Sequence, residues 1–361
     1  MVRLDQRVAH RHEPTANNFL LLRIGAAALV IAGHSLILTP AASSSKDLLR
    51  SWTGYVSSHI LGVQIFFVIS GFLVFGSLQK TPNLKRYIQS RLRRIVPGYW
   101  VCLFLMTFVL GPLHTRLGMM DYFSNEVTWH YLFSNASFWT FQDHLPGTLF
   151  SSGPRGSSIN GSLWTIPMEV RLYLLVVLFG LFGLISSRLR SNVGLMGLFA
   201  INALVASTVD LTEPERTTLQ LGAFFGLGAL FFNNRSSIIL DWRLAGSLIV
   251  ALLLLRPYAG FVYCCALSLP YLMLCLAYGP KIPLPRWLED YSYGMYLYGF
   301  PIQQEIALAY PDLSPAAMIG LSLPLSLLAG AISWHVVEKR FLIKPPSCID
   351  AEKIQRGPQH A

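Results

Sequence analysis

An arginine and a histidine stand inside an apolar run where neither residue type belongs. The run extends from Phe19 to Leu38, FLLLRIGAAALVIAGHSLIL, and the two are Arg23 and His34. An ionisable side chain within a membrane helix costs about 2.5 kcal/mol or more, so its presence marks a site by default. Eleven positions separate them, about three helical turns, which places both on one face and roughly 16 Å apart along the axis. A fixed cation toward one end can hold an anion. A titratable imidazole toward the other can take a proton from a hydroxyl. Taken singly, a snorkelling Arg23 and a packed His34 explain themselves. Together on one face they point to chemistry.

Three further stretches carry groups of the same kind. LKRYIQSRLRRIVPGYW crowds Lys85, Arg86, Arg91, Arg93 and Arg94 before an apolar run. Arg91 and Arg94 are three apart, so they share a helix face and can grip one phosphate group. A plain positive-inside anchor is the alternative. NGSLWTIPMEVRLYLLVVLF places Glu169 about seven residues, roughly 10 Å, below the surface at which that helix is expected to begin. His34 is expected at a matching depth, where a carboxylate fixes the tautomer of an imidazole acting as general base. Arg171 and Tyr173 extend this polar patch, while a structural ion pair of Glu169 with Arg171 or Arg23 is the competing reading. In GVQIFFVISGFLVFG, Ser70 and Gly71 sit near the middle of their run, where small residues allow a helix or a ligand to approach closely.

The elements that must position these groups are membrane helices. Of the 361 residues, 53% are hydrophobic and only 13% charged. The mean hydropathy is +0.48, and ordinary soluble domains carry about 25% charged residues. The expected architecture is an all-α integral membrane protein of about ten transmembrane helices, near 19–39, 60–78, 95–111, 163–185, 193–209, 217–232, 244–258, 260–278, 291–309 and 315–336. Most of the 28 Lys and Arg fall on one side if both termini are cytoplasmic. The net charge of +10 then reflects topology and anionic lipid contact, with no nucleic-acid partner. The polar N-terminus is not a cleaved signal peptide, so the first helix stays. The five cysteines form neither a disulfide framework nor a zinc site, and no metal is expected. One domain covers 1–342 and a short polar tail 343–361. The loop near 112–161 is rich in aromatics that suit sugar stacking or an interfacial belt.

Read in order, these stretches resemble one family. Arg23 with His34, FFVISGFL, RLRRIVPGY, SLWTIPMEVRLY, YSYGMYLYGFPI and the closing HVVEKRF are together similar to the acyltransferase 3 family of membrane O-acyltransferases, over about 18–342. The resemblance implies transfer of an acyl group, usually acetyl, from cytosolic acyl-CoA to a hydroxyl of a saccharide outside the cell. It implies His34 as catalytic imidazole, with Arg23 and Glu169 as its partners. Arg91, Arg94 and Arg86 would serve the CoA phosphates, with Ser70 and Gly71 lining the path. Trp164, Arg171 and Tyr173 would contact the acceptor. Many members carry a histidine shortly after the Tyr-Leu of the ninth helix, whereas this chain reads Tyr296-Leu297-Tyr298-Gly299-Phe300.

The expected function is therefore a membrane O-acetyltransferase with acetyl-CoA as cosubstrate, no permanently bound cofactor, and a place in a bacterial inner membrane. The rival is a transporter or flippase of a saccharide or lipid-linked intermediate, which charged groups in a polytopic bundle also fit.

Overall fold

The computed structural model describes residues 2–9, 17–39, 47–80, 83–148, 158–256, 258 and 261–342. The tail beyond 342, part of the loop before Ser158, and Cys348 lie outside the described residues. Each of the ten apolar runs forms a helix: α1 (Phe19–Leu38), α2 (Ser58–Lys80), α3 (Leu84–His114), α4 (Thr165–Leu181), α5 (Arg188–Thr208), α6 (Glu213–Asn233), α7 (Trp242–Leu255), α8 (Phe261–Ala277), α9 (Ser292–Ala309) and α10 (Pro315–Phe341). Five of them, α1, α2, α3, α5 and α10, are long and apolar enough to cross a membrane by themselves. The others are shorter or more polar for local reasons. Helix α6 opens with Glu213, Glu215 and Arg216, and α9 carries Gln303, Gln304 and Glu305. Such groups are tolerated when they face protein, and Gln303 and Gln304 are buried.

Helix α1 is the hub of the described bundle, packed against α2, α9 and α10. Helices α1 and α2 run antiparallel, and two contacts fix their register. At one end the Phe19 and Phe72 rings lie 6.0 Å apart. At the other, Gly33 has no Cβ, and one there would collide with the backbone nitrogen of His59. Helix α9 runs parallel to α1, with Asp290 beside Arg23 at its start and Phe300 beside His34 further along. The Arg23 end and the His34 end of the bundle follow from these contacts. On the far side, α2 is clamped to α6 by reciprocal small residues. A Cβ on Gly71 would run into the Phe225 carbonyl, and one on Gly228 into the Val68 carbonyl. At the Arg23 end, Val2–Arg3 pairs antiparallel with Ile239–Leu240, fastening the N-terminus to the α6–α7 connection.

One expectation about α4 is corrected. The helix does not begin at the bundle's outer edge. It begins at Thr165, beside the interior of α9, and the chain before it descends along α9 without helical structure. Gln304 donates to the Ser158 carbonyl (2.7 Å), Asn160 to the Leu297 carbonyl (2.9 Å), and Tyr296 to the Ser162 carbonyl (2.7 Å). Irregular backbone at this depth survives only where protein satisfies its polar groups, which these side chains do. Pro167 falls in the first turn of α4, where its missing N–H costs nothing.

The aromatics of the long loop stack on α3 and on one another. Phe138 stacks on Tyr99 (5.0 Å), Phe123 on Phe108 (6.0 Å) and Phe133 on Trp129 (6.1 Å).

Candidate active site

A cavity of about 140 Å³ opens among α2, α3, α4 and α9 at the Arg23 end of α1. Arg23, Arg91, Arg94, Ser70, Glu169 and Tyr173 all line it. Six of the residues singled out from the sequence are thus brought to one place. Within the cavity the polar groups are linked. Ser70 Oγ donates to Glu169 Oε1 at 3.1 Å, Tyr173 Oη donates to the same oxygen at 2.5 Å, and the two hydroxyls are 3.1 Å apart. Glu169 and Tyr173 share a face because they are four apart on α4.

The arginines play different parts. Arg94 donates to Asp290 at 2.8 Å and to Glu338 at 3.2 Å, while Arg23 lies 3.3 Å from the same Asp290 oxygen. Asp290 therefore holds two guanidiniums at once. Its burial opposes ionisation, but Arg23, Arg94 and the Ser292 hydrogen bonds outweigh that and hold the carboxyl below the usual range. Arg91 is placed otherwise. Its guanidinium lies 6.0 Å from the ring centres of both Tyr87 and Tyr173, against aromatic faces. Asp290 and Glu338 were not among the expected site residues. Glu338 had been noted only as part of the closing HVVEKRF, and Asp290 directly precedes the YSYGMYLYGFPI stretch.

His34 lies away from this cavity. It is 8% exposed, with the Phe300 ring edge-on at 5.2 Å and the His59 ring at 5.4 Å. Ser70 follows His59 by eleven residues on α2, so about 16 Å of helix separates the Ser70–Glu169 cluster from the imidazoles. The matched depth expected for His34 and Glu169 is thus replaced by a separation of about 16 Å along the bundle. The physical reason is the low start of α4, which carries Glu169 toward the Arg23 end.

Four other expected residues lie elsewhere. Arg171 is two positions from Glu169, hence on the opposite face of α4, where it is exposed and donates to the Trp139 carbonyl. It does not extend the polar patch. Arg86 is exposed on the first turn of α3, before the cavity. Gly71 faces α6 rather than the cavity. Trp164 is partly buried at the start of α4 and packs against the core. At Gly299, the space of a side chain is filled by Ile31, whose Cγ1 would lie 3.0 Å from a Cβ there.

The acyltransferase-domain model of the acyltransferase 3 family matches residues 17–335. This chain belongs to that family. Among its curated relatives is an O-acetyl transferase of Shigella phage Sf6, 25% identical over 346 residues that cover 91% of this chain and 97% of the relative. Nodulation protein 10 of Rhizobium leguminosarum bv. viciae is 26% identical over 356 residues, covering 90% of this chain and 92% of the relative. A putative peptidoglycan O-acetyltransferase of Bacillus subtilis is 22% identical over 352 residues, covering 82% of this chain and 49% of that longer protein. No solved structure matches. Its family and its apolar helices make the chain an integral membrane protein of the acyltransferase kind.

Proposed function

We propose that this acyltransferase moves an acetyl group from cytosolic acetyl-CoA to a hydroxyl of a saccharide on the other side of a bacterial inner membrane, across ten spans with both termini cytoplasmic. The observation that carries the reading is the distribution of groups along α1: a basic cavity at Arg23 and a buried imidazole at His34 on the same helix. Arginines suit the phosphates of a CoA, and among the three in the cavity Arg91 is the one outside the Asp290 and Glu338 ion pairs. A cavity of about 140 Å³ admits a slender arm rather than a nucleotide, so the adenine end stays outside and the thioester travels toward His34. The Bacillus subtilis relative, a putative peptidoglycan O-acetyltransferase, favours a carbohydrate acceptor.

In this reading His34 takes the proton of the acceptor hydroxyl as its oxygen bonds to the thioester carbonyl carbon. The carbon–sulfur bond then breaks, and the CoA thiolate leaves and is protonated. General-base assistance of this kind contributes roughly 10²–10⁴-fold. Arg23 and Asp290 act at the far end of the helix, holding the donor mouth together.

The test is labelled acetyl transfer from acetyl-CoA in membranes containing the protein, beside His34→Ala at matched abundance. Label in saccharide together with free CoA is expected from the wild type alone. Saccharide movement without CoA release would instead identify a flippase.

A further inference from the structure

We propose that His59 is a positioning and proton-relay residue for His34, passing the hydroxyl proton from the buried imidazole to the aqueous phase at that end of the bundle. The inference rests on the acyl-transfer reading above and deepens it. It starts from the approach of two helices. Gly33, directly before His34, leaves no room for a Cβ against the backbone of His59, so α1 and α2 come into close backbone approach at this point. That approach sets the two imidazoles 5.4 Å apart between ring centres, tilted by 34°.

The two rings differ in access. His34 is 8% exposed, enclosed by Phe300 on its other side. His59 is half-buried at the first turn of α2. Its Nε2 lies 3.4 Å from the hydroxyl of Ser57, a buried residue in the connection that precedes α2. The position is also held from outside the helices. Asp47 accepts from the Ser58 backbone N–H at 2.8 Å and the Ser58 hydroxyl at 3.1 Å, and also from the backbone N–H groups of Leu49 and Arg50. One carboxylate thereby ties the short helix Leu48–Thr53 to the residue next to His59.

The proton balance closes. The acceptor O–H bond breaks and its proton goes to His34. His34 hands that proton to His59, which releases it to water and returns neutral, as does His34. The CoA thiolate, formed when the carbon–sulfur bond breaks, takes its proton from water on the donor side. A buried base with no outlet would remain protonated after one turnover.

The experiment uses the full-length protein in membranes with labelled acetyl-CoA and the membranes' own saccharide, reading label transfer and free CoA. His59→Phe keeps a ring of similar size against His34 but cannot carry a proton. It is expected to lower kcat roughly 10- to 100-fold while the KM for acetyl-CoA, set about 16 Å away, stays at the wild-type value. His59→Ala is expected to lose activity likewise and to regain it as imidazole is added. A merely structural histidine would give no imidazole rescue, and that result, or wild-type kcat in His59→Phe, overturns the relay while leaving wild-type acyl transfer intact. Absence of both transfer and CoA release from wild type overturns the acyl-transfer reading and the relay with it.

Discussion

Arg94 Nη2 lies 2.8 Å from Asp290 Oδ2, although the two residues are 196 positions apart in the chain. The same guanidinium reaches Glu338, and the same carboxylate reaches Arg23, so α1, α3, α9 and α10 meet at one charge cluster. Arg91, one turn away on α3, has its guanidinium against the rings of Tyr87 and Tyr173. Two arginines that look equivalent in sequence therefore have different roles. Arg94→Ala is expected to destabilise the protein by roughly 2–4 kcal/mol, because it takes the arginine from Glu338, which is 1% exposed, and one of the two arginines from Asp290. Arg91→Ala is expected to leave the melting temperature in detergent nearly unchanged and to raise the KM for acetyl-CoA. Thermal unfolding and KM measured side by side check both.

Asp290 supplies a pH dependence of known sign. Its folded-state carboxyl is held below the unfolded value of about 3.9, so its contribution is fully present above that pH and is lost as pH falls through the folded value. Stability of the wild type is expected to hold near neutrality and to decline below about pH 4. Asp290→Asn is expected to be less stable at neutral pH and to show a smaller decline on acidification. An acid titration of the melting temperature that gave parallel curves for the two proteins would contradict this.

Glu169 tests the separation of the two polar centres. If it oriented His34, Glu169→Gln would lower kcat. Bonded instead to Ser70 and Tyr173 in the cavity at the Arg23 end, it is expected to shift mainly the KM for acetyl-CoA, by roughly 10- to 150-fold, with kcat within about threefold of wild type, since a hydrogen bond to a charged group is worth about 1.5–3 kcal/mol. Steady-state kinetics in acetyl-CoA distinguish the two.

Gly71 lies at a backbone crossing. Gly71→Val places a branched side chain against the Phe225 carbonyl and is expected to cost at least about 1–3 kcal/mol. Tyr173→Phe, by comparison, removes one hydroxyl from the cavity and is expected to be milder in stability. Detergent melting curves rank them.

The helical architecture was legible because apolar runs of membrane length are a strong and local signal, and each of the ten runs is a helix. The ends of Arg23 and His34 on one face of α1 were equally legible, being a matter of spacing alone. Depth was not. The start of α4 depends on Asn160, Tyr296 and Gln304 meeting across more than a hundred residues, which no local pattern encodes. Pro167, tolerated in a first turn, was the one local sign that the helix begins late. Arg171 was misplaced for a simpler reason: two positions on a helix is half a turn, so it could not share a face with Glu169. His59 escaped notice because a histidine at a helix edge carries no pattern, and only the Gly33 crossing reveals its neighbour.

The descent of residues 158–164 along α9 also constrains how the protein is made. The carbonyls of Ser158 and Ser162 accept from Gln304 and Tyr296, and the Asn160 side chain donates to the Leu297 carbonyl, partners that the ribosome adds some 134 to 146 residues later. At about 5–20 residues per second, that is roughly 7–30 s of synthesis. Through that interval α4 has no finished upper end, and the segment must wait at the membrane surface or beside the translocation machinery. Biogenesis of this fold thus has a late step, the drawing-in of a polar strap once α9 arrives, and the cavity lined by α4 and α9 is completed only then.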